Sequence, residues 1–517
     1  MRDYLIIHVN GQRHEIRGER AFQSLSNFLR YDLCLVGTKV VCAEGDCGSC
    51  AVLIGRASDD GISYRAVTSC IQFLCQLDGA HVVTVEGLKH DGKLNPLQQA
   101  LVSCQGTQCG FCTPGFVVSM CAMLDQQPRL DEGALRAGLT GNLCRCTGYE
   151  SIIRAGMEVP AAELRKISDL YPPAPLLPAM RAADGDPVRA SAGAKFFFKP
   201  TTVADAVAFK REHPTCAILA GGTDLGVQIN KGIRDPDLLL SLSALRDLRD
   251  VKLRDGQLVV GAMATLSELE RRIEQLVPEF GRMLWRHGSP LIRNAGTLAG
   301  NIANGSPIGD TMPALYVLDG EVELTGSAGS RRVNINDFYT GYRKTCAAAD
   351  EIITRVFVTL PRADETLRLY KVSKRHDLDI STFTGAFLLR RSNGVIGEIR
   401  IAYGGCGPNI IRLRRTEAAL AGKPLNEAEI EAAAEIARGE ITPISDVRGD
   451  AGYRLQLAEN VLRKFYFDAT GEEPTYDRAT TPSRAAAPAP AASGASGIHF
   501  PGDGHGNGAG NGDGGVH

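Results

Sequence analysis

The stretch V-C-A-E-G-D-C-G-S-C, residues 41–50, decides the fold of the N-terminal part of this chain. Its cysteines are Cys42, Cys47 and Cys50, and Cys70 follows further along the chain. Gaps of four and then two residues are typical of a tight loop around a [2Fe–2S] cluster, with the fourth thiolate supplied by a later strand. Gly45 and Gly48 fit such a loop. Without a Cβ they accept positive φ and let backbone N–H groups approach the cluster sulfurs.

Zinc is the alternative metal for four thiolates. Structural zinc sites usually pair one C-x2-C with a second C-x2-C or with two histidines. Here a gap of four residues comes first, and no histidine lies nearby in the sequence. The spacing therefore favours an iron–sulfur cluster of the plant-type ferredoxin kind over zinc.

Composition limits the class of protein. The 517 residues are 44% apolar, which is enough for several hydrophobic cores, and this length predicts about three or four domains. Because 57 Lys and Arg nearly balance 59 Asp and Glu, charge gives no reason to expect nucleic acid or an anionic membrane as a partner. No stretch reaches the roughly 18 apolar residues of a membrane span.

Cysteine usage indicates a reducing compartment. The fifteen cysteines belong to a long chain that opens M-R-D-Y without a signal peptide, and eight of them cluster at metal-ligand spacings. Small secreted proteins use cysteines differently, as disulfides that replace a core. We therefore expect a cytoplasmic protein.

The first 90 residues predict a β-grasp pattern. Alternating apolar residues from Leu5 to Val9, followed by Asn10-Gly11, predict two strands joined by a type I′ turn. We expect a helix at Phe22–Tyr31 and further strands at Cys50–Ile54 and His81–Val85. The cysteine loop then lies at one edge of the sheet.

From Asn95 the apolar period becomes helical. The expected helices are Leu97–Cys104, Thr113–Asp125, Asp131–Gly138 and Tyr149–Val159. The loops between them hold Cys109 and Cys112 as C-x2-C, and Cys144 and Cys146 as C-x-C. Helix starts after each pair place partial positive charge beside the thiolates, which suits an anionic cluster. Each pair alone is also compatible with a redox or zinc site, but together they favour a second [2Fe–2S] cluster.

Two glycine-rich stretches follow a Pro- and Ala-rich segment, residues 166–190, that we expect to be a surface linker. The first, Ala217–Gly226, is an apolar strand that ends in a Gly-Gly turn. Without G-x-G-x-x-G or a Walker lysine it is either a plain turn or a loop whose backbone N–H groups hold a pyrophosphate. The second, Arg293–Asp310, is rich in Gly, Asn, Ser and Thr and offers donors to a phosphate or ribityl chain. Trp285, just before it, is either a core residue or a stacking partner for a flat ring.

The C-terminal part predicts a small α+β unit. Its expected strands are Thr384–Arg391 and Val395–Gly405, and its expected helices are Leu425–Arg438 and Ala451–Phe467. After about Gly471 the sequence turns to Pro, Ala, Ser and Gly, with too few large apolar residues to form a core. We expect residues 471–517 to be a disordered tail.

The order of these motifs resembles one known family. Beside the two cysteine sets they are L-A-G-G-T-D-L (219–225), A-G-T-L-A-G-N-I-A-N-G-S-P-I-G-D (295–310), G-Y-R-K-T (341–345) and Y-G-G-C-G-P (403–408). Over roughly residues 1–467 the chain is similar to the small, iron–sulfur and FAD subunit of bacterial xanthine dehydrogenases, in the molybdenum hydroxylase family. No long second half follows residue 467, so the resemblance places the molybdopterin domains on a separate large subunit.

The resemblance implies a multidomain α+β fold. It consists of a plant-type ferredoxin-like β-grasp domain (1–90), a four-helix [2Fe–2S] domain (91–165), the linker, an FAD-binding domain of the vanillyl-alcohol-oxidase (PCMH) type (191–365), and a C-terminal domain like that of the CO dehydrogenase flavoprotein (366–470).

The resemblance also implies the cofactor ligands. One cluster would be held by the first cysteine set (Cys42, Cys47, Cys50 and Cys70), and the other by the second cysteine set (Cys109, Cys112, Cys144 and Cys146). The residues implied around FAD are Leu219, Ala220, Gly221, Gly222, Thr223, Asp224, Leu225, Gly226, Gly296, Thr297, Leu298, Ala299, Gly300, Asn301, Asn304, Asp310, Ile353 and Lys371.

The activity implied is that of an electron-transfer subunit of an NAD-dependent xanthine dehydrogenase. Electrons from the hydroxylation of hypoxanthine or xanthine, at the partner's molybdopterin centre, would pass through two [2Fe–2S] clusters to FAD and on to NAD⁺. This chain would then hold no catalytic base, and a dimer of heterodimers is the expected assembly. The alternatives are the same relay in a molybdenum hydroxylase of aldehydes or N-heterocycles, and a stand-alone electron-transfer flavoprotein.

Overall fold

A computed structural model describes residues 1–392 and 394–472 of the chain. Residues 1–471 form one compact unit. The expected tail lies outside the described residues, apart from its first two. Within the part of the chain that the structure describes, no helix combines the length and apolar character needed to cross a bilayer.

The N-terminal region forms a mixed sheet. Its strands, in spatial order, are Gln12–Ile16, Leu5–Val9, His81–Val83, Ala51–Ser58 and Gly61–Thr68. The first hairpin turns at Asn10 and Gly11, whose φ values of 48° and 82° are those of the predicted type I′ turn. The expected helix at Phe22–Tyr31 is shorter and irregular: Ser24 caps an α-helical turn at Leu25–Asn27, which continues as a π-helical turn at Phe28–Asp32.

The helices predicted within residues 91–165 form close to their expected bounds. They are Pro96–Ser103, Thr113–Leu124, Glu132–Gly138 and Glu150–Glu158. Asn95 and Gln98 make a reciprocal capping box at the first, and Asp131 caps the third. Phe116 and Val118 share one hydrophobic core with Leu53 of the N-terminal sheet. The two cysteine-bearing regions are therefore packed together.

The segment expected to be a surface linker, residues 166–190, is largely helical. It contains helices at Ile167–Leu170 and Pro173–Asp184. Leu176, Met180 and Ala183 are buried on one face of the second helix, at helical spacing. Proline in the first turn is compatible with a helix because its missing N–H has no partner there. Composition predicted an irregular linker, whereas these apolar residues bury one face of a helix.

The following region contains two sheets. The first has the strand order Val188–Ala192, Lys195–Lys199, Leu238–Ser241 and Ala217–Leu219, and the second has the order Val251–Arg254, Gln257–Gly261, Ile352–Thr359, Glu321–Gly326 and Gly329–Asn334. A small hairpin pairs Tyr339–Gly341 with Lys344–Thr345. The helices are Val203–Glu212, Leu225–Asn230, Leu266–Ile273, Pro278–Trp285, Pro290–Arg293, Leu298–Asn304, Met312–Val317 and Ile335–Phe338.

The C-terminal region is the predicted α+β unit. Its antiparallel strands are Glu365–Val372, Phe383–Ser392, Val395–Gly404 and Ile411–Arg412, and its helices are Arg414–Leu420, Glu427–Arg438 and Ala451–Thr470. The last helix packs on the sheet, where Phe465 stacks on Phe387 with ring centroids 4.4 Å apart.

Candidate iron–sulfur and flavin sites

The first cysteine set converges in the loop that precedes the Ala51–Ser58 strand. The Cys42 thiol is in hydrogen-bonding contact with the thiols of Cys47 and Cys70, and the Cys50 thiol is in contact with that of Cys70. Cys47, Cys50 and Cys70 are buried, and Cys42 is partly buried. Residues that are distant in sequence thus present four sulfurs to one place.

Glycine is required at two positions of this loop. Gly45 and Gly48 have φ values of 81° and 69°, in the region that disfavours residues with a Cβ. A Cβ at Gly48 would lie 2.2 Å from the Gly141 carbonyl oxygen, and one at Gly45 would lie 2.6 Å from Cδ1 of Ile71. The sequence prediction that these glycines allow a tight loop is consistent with this geometry.

Contacts between the thiols lower the pKa of Cys42 and raise the pKa values of Cys47 and Cys70. Hydrogen bonds from Cys47 and Cys70 lower the pKa of Cys42. The same contact with Cys42 raises the pKa of Cys47, and contacts with Cys42 and Cys50 raise that of Cys70. Because metal ligation requires thiolates, a bound cation would take the place of the protons that these thiols share.

The second cysteine set lies between helices, at the protein surface. The Cys109 and Cys146 sulfurs are 3.5 Å apart, and both residues are exposed. Cys144 is buried, and its sulfur lies 3.2 Å from the Thr147 hydroxyl oxygen. Burial opposes ionisation of Cys144, but hydrogen bonds from Thr147 and nearby backbone N–H groups outweigh it and lower its pKa.

The helix starts near this set are where the sequence predicts them. Cys112 directly precedes the Thr113–Leu124 helix, which has a proline in its first turn. Tyr149 precedes the Glu150–Glu158 helix, and its hydroxyl oxygen accepts a hydrogen bond of 3.0 Å from the Cys144 N–H. Partial positive charge from both helices therefore faces the thiols.

The contacts of the second set divide its thiols into two pairs, Cys109 with Cys146 and Cys112 with Cys144. In the first set Cys42 contacts Cys47 and Cys50 contacts Cys70, and a further contact between Cys42 and Cys70 joins these two pairs. Across residues 1–392 and 394–472, no three His, Cys, Asp or Glu side chains converge on a single metal position. Pairs fit a [2Fe–2S] cluster, because each of its two irons takes two of the four thiolates. All fifteen cysteines are free thiols.

A cavity of about 630 Å³ lies between the two glycine-rich stretches. A Cβ at Gly221 would lie 2.0 Å from the Ala295 carbonyl oxygen, so the stretches touch, and Gly222 has a φ of 73°. The predicted FAD residues in the cavity wall are Leu219, Ala220, Gly221, Gly222, Thr223, Asp224, Leu225, Gly296, Thr297, Ala299, Gly300, Asn301, Asn304 and Ile353. The volume lies in the range of roughly 300–1,000 Å³ found for cofactor pockets.

The cavity wall has the donors that a pyrophosphate needs. The Leu225–Asn230 and Leu298–Asn304 helices both begin in it, and first-turn N–H groups have no partner within their own helix. Thr297 caps the second helix by accepting a hydrogen bond of 2.9 Å from the Gly300 N–H. Lys210, Arg234 and Arg343 add positive charge to the wall. These residues fit a dinucleotide such as FAD.

Four residues predicted at FAD do not line the cavity; they are Gly226, Leu298, Asp310 and Lys371. Gly226 packs against the backbone of Ile71. A Cβ at Gly226 would lie 2.6 Å from the Ile71 carbonyl oxygen. Leu298 is buried in the core of this region. Gly226 and Leu298 make these contacts because each lies on the face of its helix that is turned away from the cavity.

Asp310 and Lys371 form a buried ion pair instead. Lys371 Nζ lies 2.7 Å from Asp310 Oδ2 and donates to the Arg286 carbonyl oxygen at 3.0 Å. The Ser381 hydroxyl donates to Asp310 Oδ1 at 2.5 Å. Burial alone would favour the neutral acid, but contact with His287 and the charge of Lys371 lower the pKa of Asp310 to about 2. Because each group satisfies the other, the pair connects the FAD-side region, residues 188–359 with the cavity and Asp310, to the C-terminal sheet that contains Lys371.

Some cavity residues were not predicted. Lys210, Arg234, His287 and Phe338 line the wall, but they come from separate segments with no motif of their own. Arg343 and Thr345 also line the wall. They belong to the G-Y-R-K-T motif, from which their position at the cavity could have been predicted. Trp285 is exposed and makes an edge contact with His376, with ring centroids 5.9 Å apart, and it does not line the cavity.

Models of three domain families match the chain in succession. They are a [2Fe-2S] binding domain at residues 84–157, the FAD binding domain in molybdopterin dehydrogenase at residues 190–362, and the CO dehydrogenase flavoprotein C-terminal domain at residues 368–469. The [2Fe-2S] binding domain model covers the second cysteine set. The FAD binding domain model covers both glycine-rich stretches.

Similar proteins include xanthine dehydrogenases. That of Drosophila subobscura is 29% identical over 526 residues, which cover 89% of this chain and 39% of that protein. Xanthine dehydrogenase 1 of Arabidopsis thaliana is 28% identical with the same shares. Aldehyde oxidase 1 of Bos taurus is 28% identical, covering 93% of this chain and 40% of that protein. The chain thus spans about two fifths of the length of these relatives.

Solved structures are similar to part of the chain. A carbon monoxide dehydrogenase from Hydrogenophaga pseudoflava, which lacks the Mo-pyranopterin moiety of the molybdenum cofactor, matches with a TM-score of 0.50 and 28% identity, covering 52% of this chain and 94% of that one. Quinoline 2-oxidoreductase from Pseudomonas putida 86 matches with a TM-score of 0.50 and 25% identity, covering 53% and 95%. The matched domains and these relatives show that the chain contains sequence like that of [2Fe–2S]-binding and FAD-binding domains, and that it is similar to xanthine dehydrogenases, an aldehyde oxidase and a carbon monoxide dehydrogenase.

Proposed function

We propose that this chain is the electron-transfer subunit of an NAD-dependent xanthine dehydrogenase. When bound, two [2Fe–2S] clusters and FAD would carry electrons from purine hydroxylation, at the molybdopterin centre of a large partner subunit, to NAD⁺. The chain's own residues hold these groups in place and in order. The observation that carries the proposal is the convergence of the eight cysteines in two sets, of which the first packs against residues beside a glycine-lined cavity.

We assign the first cysteine set to one cluster, the second set to the other, and the cavity to FAD. The domains proposed to carry them are a β-grasp domain (1–90), a helical domain (91–165), a vanillyl-alcohol-oxidase-type domain (191–365) and a C-terminal flavoprotein domain (366–470). The matches to [2Fe-2S]-binding, FAD-binding and flavoprotein C-terminal models support this division.

The position of each set supports an order for the relay. Cys50 and Cys70 pack in one apolar cluster with Val227 and Ile292, which belong to the FAD-side region. Cys109 and Cys146 are exposed at the surface. Electrons would therefore enter at the second set, pass to the first, and leave through the flavin.

The surface around the second set supports a protein partner. Phe111, Leu143 and Tyr149, which neighbour its cysteines in sequence, are 44%, 39% and 37% exposed. Grouped exposed apolar side chains mark interaction sites. We propose that the molybdopterin-containing subunit covers this surface, in a dimer of heterodimers, and that the free thiols fit a cytoplasmic location.

The proposal is tested by spectroscopy of the purified complex. We expect about four irons per chain and flavin absorbance, with both bleached by xanthine and restored by NAD⁺. Electron paramagnetic resonance (EPR) of the reduced complex should resolve two [2Fe–2S] signals. An iron-free, colourless protein, or one that contains zinc in place of iron, would contradict the proposal.

A second candidate is the same relay in a hydroxylase of aldehydes or N-heterocycles. The similarity to proteins named aldehyde oxidase and quinoline 2-oxidoreductase favours it. Bleaching of the complex by an aldehyde or quinoline, but not by xanthine or hypoxanthine, would select this function. Purification without any molybdenum-containing chain would instead indicate a stand-alone electron-transfer flavoprotein.

A further inference from the structure

Two buried amide side chains extend from the first cysteine set to the flavin loop, residues 219–226. Gln72 lies two residues after Cys70, and its Nε2 donates to the Gly221 carbonyl oxygen at 3.1 Å. Gln76 Nε2 donates to the Ala220 carbonyl oxygen at 3.1 Å. The two glutamines are only 5% and 3% exposed, so water does not compete for these hydrogen bonds.

A third amide makes the same connection from the opposite direction. Asn230 is the last residue of the helix that follows the flavin loop. Its Nδ2 donates to the carbonyl oxygens of Ala43 and Cys70, at 2.8 Å each. Ala43 directly follows Cys42. One amide group therefore holds the backbone beside Cys42 and Cys70, whose thiols are also in contact with each other.

Between these hydrogen bonds the flavin loop is in direct contact with residues 71–76, which follow Cys70. A Cβ at Gly226 would lie 2.6 Å from the Ile71 carbonyl oxygen, and one at Gly222 would lie 2.6 Å from Gln76 Nε2. With no space between the loops, a displacement of one must displace the other. The second set differs, because Cys144 donates its backbone N–H to the Tyr149 hydroxyl oxygen and its sulfur contacts the Thr147 hydroxyl, both within its own helical region.

We propose that Gln72, Gln76 and Asn230 are positioning residues that couple the two neighbouring sites, so that bound flavin stabilises iron at the first cysteine set. The converse also holds, because coupling between two binding sites is reciprocal: iron at that set strengthens flavin binding. Since both sites are assigned by the proposed function, the coupling rests on it.

The coupling is measured on the purified full chain with its iron and flavin. One portion is stripped of flavin, both portions are challenged with an iron chelator, and EPR after reduction follows each cluster, with signals assigned by a Cys109→Ser variant. Removal of flavin should speed iron loss from the first set about fivefold, the factor that corresponds to one net hydrogen bond. Iron loss from the second set, the internal control, should not change.

Two variants test the residues themselves. Gln72→Met keeps the side-chain length but removes the donor, and Asn230→Ala acts at an exposed position where folding is not at risk. In each, iron loss from the first set should become less dependent on flavin. Asn460→Ala, an exposed asparagine on the C-terminal helix, is the matched control and should behave as wild type.

The coupling is refuted if flavin removal leaves iron loss from the first set unchanged, or if it speeds loss from both sets equally. It is also refuted if Asn230→Ala and Gln72→Met both retain the full flavin dependence. A wild-type chain that purifies without iron or without flavin overturns the proposed function itself, and the coupling with it.

Discussion

At the scale of the residue, glycine decides whether the loop of the first cysteine set can close. We expect Gly48→Ala to lose iron from that set, because its Cβ would meet the Gly141 carbonyl oxygen at 2.2 Å and its φ is 69°. Iron content should fall from about four to about two per chain. Gly92→Ala is the control, since φ there is 77° but no atom lies within 4 Å. A Gly48→Ala protein with full iron content would contradict the expected closure.

A buried histidine makes stability depend on pH. His81 accepts a hydrogen bond of 3.0 Å from the Gly11 N–H and lies 2.7 Å from the Tyr64 hydroxyl oxygen. Burial lowers its pKa from 6.5 to about 3. Below pH 6.5 the unfolded chain therefore binds more protons than the folded one, and stability falls as the pH drops towards 3. At pH 5 this loss is about 2 kcal/mol.

The measurement is denaturant unfolding at pH 7 and pH 5, compared between wild type and His81→Gln. The variant lacks the titrating group, so its stability should fall less between the two pH values. An equal fall in both proteins would show that other groups produce the acid sensitivity.

At the scale of the element, the Pro173–Asp184 helix has a buried apolar face that its amino-acid composition does not predict. Met180 is fully buried on its inner face, so Met180→Ala should cost about 3 kcal/mol of unfolding free energy. Leu177 on the same helix is only partly buried, and Leu177→Ala should cost clearly less. Equal costs in denaturant unfolding would mean that the helix is not held by its apolar face.

Local signals explain which elements were predictable. The helices between residues 91 and 165 combine a regular apolar period with capping residues such as Asn95 and Asp131, and they form close to the expected bounds. The Pro173–Asp184 helix was missed because its prolines and alanines match a linker in composition, whereas its burial depends on a sheet far away in sequence. The same limit applies to the cavity: its glycine loops have motifs, but Lys210 and His287 reach it only through the fold.

At the scale of the whole molecule, the Asp310–Lys371 pair joins the FAD-side region to the C-terminal sheet. Lys371→Met leaves a buried carboxylate without its cation and should cost about 3–5 kcal/mol. The double variant Asp310→Asn with Lys371→Met removes both charges and should recover much of that loss. Denaturant unfolding of the single and double variants gives the comparison, and a double variant no more stable than the single one would contradict the ion-pair role.

The packing of the helical region over the first cysteine set also has a consequence for biosynthesis. The Leu143 N–H donates to the Cys47 carbonyl oxygen at 3.0 Å, and Gly141 touches Gly48. The loop around the first set is thus completed by residues made long after it. A growing chain that has just left the ribosome with Cys42 to Cys70 still lacks this cover, so the proposed metal at the first set would be fully enclosed only after residues 141–143 have also left the ribosome.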